Sequence, residues 1–173
     1  PCSVLTVRET ALKDALPPYR KFHPARILVP TDLSEESLMA CATASDLAAR
    51  FGSSILALTV IADHMSTTFG ELGYVFETRK AIEEARRDLP RAMAERIPGT
   101  IPRQTEVIEG SPAHVICEVA RAQNLDLIVM NTHGRSGASH LLIGSVTERV
   151  VRNAPCSVWT FRKSPEPPAR QGS

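Results

Sequence analysis

The segment Asp-Leu-Ile-Val-Met at 126–130 carries four apolar residues in a row. It is too short for a helix that buries one stripe, and it does not alternate, so a strand here needs cover on both faces. Such strands lie in the middle of parallel sheets, with helices packed above and below. Arg26–Pro30 (Arg-Ile-Leu-Val-Pro) has the same character and ends at a turn signal. These two runs restrict the chain to an α/β fold with covered central strands.

The rest of the sequence fits that restriction. Ser34 followed by Glu-Glu-Ser predicts a helix start, with a hydroxyl N-cap and acids in the first turn. The helix runs to about Arg50 and closes at Gly52. Leu38, Cys41, Ser45 and Ala48/Ala49 form its inner face, small enough for close approach to a sheet. Ser54–Ile61 reads as a strand, 62–76 as a long loop and Glu77–Arg96 as a helix in which Pro90 marks a kink or break. Gln104–Ile108 is a third strand. Ser111-Pro112 starts a helix with proline at its first position. Leu141–Asn153 is the last helix, and Ser157–Phe161 (Ser-Val-Trp-Thr-Phe) the fifth strand. Five strands alternate with four helices. The expected fold is an open parallel sheet with helices on both faces, and ligands in such folds bind outside the carboxyl ends of the strands, where strand order reverses. Residues 1–24 are expected to be an N-terminal extension, with a short helix near 8–15, and 163–173 a disordered tail.

Composition removes several function classes. The net charge of +1 gives no polyanion-binding surface, so no nucleic-acid partner is expected. No apolar run approaches the roughly 20 residues of a membrane span. The first residues lack the apolar core of a signal peptide, and Cys2, Cys41, Cys117 and Cys156 are scattered, as free thiols are in a reducing compartment. A cytoplasmic location is expected, and no metal site is read from the cysteines. Cys41 and Cys117 lie among apolar residues and read as packing.

Two segments can carry chemistry. Val-Pro-Thr-Asp-Leu-Ser at 29–34 puts Asp32 just past the first strand. There a carboxylate can accept from ribose hydroxyls or help hold a metal ion; it can equally form an Asx-turn or cap the next helix. The second segment runs from Asn131-Thr-His-Gly134 through Gly137 to Gly144-Ser145-Val-Thr147. Its glycines let backbone approach a ligand closely. Gly144, Ser145 and Thr147 fall near the start of a helix body, where N–H groups and hydroxyls suit phosphate oxygens. A glycine-punctuated surface loop is the plainer alternative. No nucleophile–base pair accompanies His133, so no catalytic residue is assigned.

These segments, with Leu-Leu-Ile-Gly-Ser-Val-Thr-Glu-Arg-Val-Val-Arg-Asn-Ala-Pro-Cys-Ser-Val at 141–158, resemble the universal stress protein family over residues 25–162. The resemblance implies strand order 3-2-1-4-5 and a switch point between the strands ending at Pro30 and Met130. ATP-binding members of that family carry Gly-x2-Gly-x9-Gly-Ser/Thr. The matching positions are Asn131, Gly134, Gly144 and Ser145, so asparagine stands where the first glycine would be. Carried over, the resemblance implies Pro30, Thr31 and Asp32 beside adenine and ribose and Val60 against the adenine. Met130 and Asn131 would line the ribose side, and Gly134, Gly144, Ser145, Val146 and Thr147 would hold the triphosphate. For Val60 an ordinary core role remains the alternative.

The function implied is an adenine-nucleotide-binding regulatory module of the stress response, taking ATP, with Mg2+ as a possible companion ion. Hydrolysis would be slow or absent, because no Walker lysine motif is present. The alternatives are a dimeric interaction protein of the same fold that binds no nucleotide, and an adenylyl-transfer type of enzyme, for which the chain leaves little room. A homodimer is expected through Ser157–Phe161, which the implied order places at a sheet edge without proline or charge. The N-terminal extension or the tail covering that edge is the competing arrangement.

Overall fold

In a computed structural model, residues 3–7, 22–62, 70–132 and 144–161 are described. The elements in chain order are β1 (Val4–Thr6), β2 (Arg26–Pro30), α1 (Glu35–Phe51), β3 (Ser54–Ala62), α2 (Gly70–Arg96), β4 (Arg103–Gly110), α3 (Pro112–Ala122), β5 (Leu127–Asn131), α4 (Ser145–Asn153) and β6 (Ser157–Phe161). They build one sheet of order β1-β6-β5-β2-β3-β4. The five strands β2 to β6 are mutually parallel and stand in the expected third-second-first-fourth-fifth order.

The side-chain period of two sorts the core into two layers. Ile27, Val29, Ile55, Ala57, Leu127 and Val129 face α1 and α2, meeting Leu38, Cys41, Ala44, Leu89 and Met93. Their neighbours Leu28, Leu56, Leu58, Ile128, Met130 and Val158 face the other way, against Ile116, Cys117, Ala120 and Val150 of α3 and α4. β5 is buried at every position, as its unbroken apolar run requires. α1 begins where Ser34 caps it, the hydroxyl accepting from the Ser37 N–H at 3.2 Å. It ends at Gly52, whose φ of 68° is the left-handed conformation that glycine adopts without steric cost. Asp126 fastens the start of β5 to the start of β2, its Oδ2 accepting from the Ala25 and Arg26 N–H groups at 2.9 Å each.

Three expectations are corrected. The sheet has a sixth strand, β1, inside the segment read as an extension. It pairs antiparallel with β6 in the register Val4↔Thr160, Leu5↔Trp159, Thr6↔Val158. Ser157–Phe161 is therefore not the sheet edge; its outer ladder is occupied. A three-residue strand has too little periodicity to be read from sequence. α2 starts at Gly70 rather than Glu77 and continues as helix through Pro90. On α1, Ala48 is buried but Ala49 is exposed. The helix near 8–15 and the tail 163–173 lie outside the described residues.

Candidate functional site

A cleft of about 700 Å³ opens at the carboxyl ends of β2, β3 and β5. β2 stops at Pro30, where its register with Leu58 ends, while β3 continues to Ala62. The last bond between them runs from the Thr31 N–H to the Leu58 carbonyl at 2.8 Å. Along a strand the N–H and C=O of residues two apart point the same way. Those of Val60 therefore point toward the side that β2 has left, into the cleft.

The turn after β2 explains why it leaves. Leu33 has φ of 64°, a left-handed backbone that costs a leucine about 1–2 kcal/mol. Its N–H turns back to Thr31 Oγ1 at 3.0 Å instead of extending the ladder. Thr31 Oγ1 lies 2.7 Å from Ser37 Oγ, which donates to the Ser34 carbonyl at 3.0 Å. The Thr31 proton is thus committed to Ser37. Asp32 Oδ1 accepts from the Ser34 N–H at 3.1 Å and the Ser34 hydroxyl at 2.6 Å. The Asx-turn weighed for this residue is formed, and Asp32 also lines the cleft.

On the opposite wall Met130 and Asn131 end β5, both 6% exposed. Asn131 Nδ2 donates to the Glu36 carbonyl at 2.8 Å, tying the first turn of α1 to β5. Its own carbonyl accepts from the Thr147 hydroxyl at 3.1 Å. The Thr147 hydroxyl thus ties the first turn of α4 to the end of β5. Gly144 caps α4, donating to the Thr132 carbonyl and accepting from the Glu148 N–H, each at 2.9 Å. The N–H groups of Ser145, Val146 and Thr147 then have no partner inside the helix, as at any helix start. All three residues line the cleft. The partial positive charge of the helix terminus adds to these donors.

Pro30, Thr31, Asp32, Val60, Met130, Asn131, Gly144, Ser145, Val146 and Thr147 are thus brought to one cleft. Gly134 lies outside the described residues, as do His133 and Arg135. Sequence reasoning missed the apolar walls, Ile61 and Ile116, and the small residues Ala81 and Ala85 of α2. Its place as the last residue of the strand read over Ser54–Ile61 would have marked Ile61; nothing local marks the α2 alanines. Thr59 was missed as well. Its hydroxyl is buried without a hydrogen-bond partner in the cleft wall.

Among the described residues the charged lining is acidic: Asp32, Glu84 and Asp88. Arg87, hydrogen-bonded at 2.8 Å, holds the Asp88 carboxyl below its ordinary value. No group of three or more His, Cys, Asp or Glu residues suited to a metal occurs among the described residues. No helix there is long and apolar enough to cross a membrane.

Known proteins agree with this architecture. The family model for the universal stress protein family matches residues 24–162. Universal stress protein MJ0531 of Methanocaldococcus jannaschii is 34% identical over 141 residues, covering 80% of this chain and 82% of the relative. A universal stress protein of Thermus aquaticus is 30% identical over 139 residues, 79% of this chain and 97% of its own. Among solved structures, the universal stress protein UspA of Lactobacillus plantarum superposes with a TM-score of 0.72 at 26% identity, over 83% of this chain and all of that one. A universal stress protein in complex with cAMP superposes with a TM-score of 0.56 at 23% identity, over 82% of this chain and 99% of its own. By sequence match and by fold, this chain belongs to the universal stress protein family.

Proposed function

We propose that the cleft binds an adenine nucleotide, ATP, and that the chain serves as a cytoplasmic regulatory module of the stress response rather than as a fast enzyme. The observation that carries this reading is the stretch of β3 beyond Pro30. It offers one backbone N–H and one C=O side by side at Val60. Adenine presents the complement on one ring edge, an acceptor nitrogen beside an exocyclic amine donor. Ile61, Ile116 and Met130 supply the apolar walls that a flat base needs. The free N–H groups of α4 suit phosphate oxygens. Asp32, a carboxylate in the cleft lining, is the group suited to the ribose hydroxyls.

The acidic lining bears on the companion ion. A triphosphate entering beside Asp32 brings more negative charge, so a divalent cation carried on the phosphates lowers the repulsion. Mg2+ would there be held by phosphate oxygens and waters, with Asp32, Glu84 and Asp88 the carboxylates of the cleft lining. The structural neighbour in complex with cAMP supports the ligand class, since cAMP is an adenine nucleotide. Slow or absent hydrolysis follows from the lack of a Walker lysine motif.

Purified protein, incubated with ATP and freed of unbound ligand, should release adenine absorbance when denatured. Release of no nucleotide at millimolar loading would overturn the reading and favour a partner-binding protein of the same fold.

A further inference from the structure

The inner stripe of α2 changes character along its length. Ala81, Ala85, Leu89 and Met93 follow one another at helical spacing and so stack on one face. Leu89 and Met93 are fully buried in the core between helix and sheet. Ala81 and Ala85 lie nearer the amino end of the helix, and both line the cleft. Small side chains thus replace large ones where α2 borders the cleft. Thr59 faces this part of the helix. Side chains alternate along β3, with Ile55 and Ala57 in the layer of α1 and α2 and Leu56, Leu58 and Val60 in that of α3 and α4. Thr59 therefore points toward α1 and α2, as does Val107 beside it in the ladder. It is 3% exposed, it lines the same cleft, and its hydroxyl has no hydrogen-bond partner among the described residues. Valine has the same shape and would be cheaper to bury there, because the threonine hydroxyl loses its water and gains no bond.

The rim of this space carries charge. Glu84 and Asp88 stand one turn apart on α2 and line the cleft beside the alanines. Arg87 engages both Asp88 oxygens, at 2.8 and 3.2 Å. No hydrogen bond or salt bridge engages Glu84 among the described residues. Between the helix and β3 there is thus a side chamber of the cleft. It has alanine walls, an unpaired hydroxyl on the β3 side and an unpaired carboxylate on the α2 side.

We propose that this chamber is a second binding site of the cleft, for a small aliphatic amine that carries a hydrogen-bonding group at its far end. The alkyl body lies against Ala81 and Ala85, the far group pairs with Thr59 Oγ1, and the ammonium faces Glu84. Such a ligand satisfies the buried hydroxyl and keeps its own charge at the exposed rim, where charge is cheapest to hold. The inference does not rest on the nucleotide reading. Ile116 and Met130, the walls assigned to the base, and Val146 of α4 belong to the layer on the other side of the sheet.

The test is calorimetry on the nucleotide-free full chain. The probes are linear amino alcohols, from ethanolamine upward in chain length, with hydroxy acids of matching length as the comparison. The expected result is saturable binding of at least one amino alcohol and much weaker binding of its hydroxy acid. Glu84→Gln and Thr59→Val should each weaken that binding about tenfold. Ala81→Leu fills the chamber from a half-buried helix position and should abolish it while the circular dichroism stays that of the wild type. Thr59→Val should also keep or raise the urea midpoint, since it removes an unpaired buried hydroxyl. A lower midpoint would show that the hydroxyl is already satisfied and would overturn the proposal. So would binding of no amino alcohol, equal binding of the hydroxy acids, or unchanged affinity in any of the three variants. Heat from ATP with none from the amines sinks this inference and leaves the nucleotide reading standing; heat from the amines alone does the reverse.

Discussion

Replacing Asn131 by glycine separates two roles that the sequence leaves entangled. The structure directs the side chain toward α1, with Nδ2 on the Glu36 carbonyl at 2.8 Å. The variant loses that bond, which contributes about 0.5–1.5 kcal/mol. Glycine inside a strand costs about 0.5–1 kcal/mol more through backbone entropy. The Glu36 carbonyl keeps its helical partner four residues on, so no buried group is stranded. The expected loss is about 1–2.5 kcal/mol of nucleotide-free stability, read from the urea midpoint at unchanged slope. The affinity for ATP, measured by calorimetry on the folded variant, should change by no more than about threefold, or 0.65 kcal/mol. A loss of tenfold or more would show that the amide touches the ligand. Unchanged stability would show that the tie between α1 and β5 contributes nothing. Asn131→Asp is the control: it sets a carboxylate against the Glu36 carbonyl and should destabilise more than glycine does at neutral pH.

Three further outcomes are expected. At Gly144 an added Cβ would lie 3.1 Å from the Thr132 carbonyl, so Gly144→Ala and Gly144→Ser should both lower ATP affinity, and serine should recover the helix cap and with it about 1 kcal/mol of stability over alanine by urea unfolding; equal stability of the two would remove the capping argument. Val60→Pro deletes an N–H that β2 does not use, so the fold should survive by circular dichroism while ATP binding weakens at least about tenfold, a loss of 1.4 kcal/mol; full affinity would remove Val60 from base recognition. Burial pushes the Cys41 thiol up to about 11 and the Cys156 thiol up to about 12 from 9.0. Both fold-state values are raised, so their contribution is intact below pH 9 and is lost as pH rises from there toward 11 and 12. Cys41→Ala should flatten part of that decline in urea midpoints between pH 8 and 10.5; an equally steep decline would refute the assignment to Cys41.

Where the sequence was legible, the physics was local. The Ser34 cap, the Gly52 closure and the runs 26–30 and 126–130 each state their conformation within a few residues. Strand order came from the family resemblance, not from the pattern. Contacts between distant residues were not legible. Asn131 reaches Glu36 across 95 positions, and the Thr147 hydroxyl reaches the Asn131 carbonyl across 16. Leu33 hides another device, because nothing in a leucine announces a positive φ. Yet that turn ends β2 early and bares the backbone of Val60. β1 was invisible for the opposite reason: three residues are too few to show a period, and only the open ladder of β6 gives them a conformation.

The most direct test of the account is a calorimetric titration of ATP into nucleotide-free protein, in the presence and absence of Mg2+, with GTP as the comparison. The account predicts saturable one-site binding of ATP and much weaker binding of GTP. The carbonyl and ring N–H of guanine would face the Val60 C=O and N–H with donor and acceptor reversed. No heat and no thermal shift at millimolar ATP, or equal affinity for the two nucleotides, would contradict it.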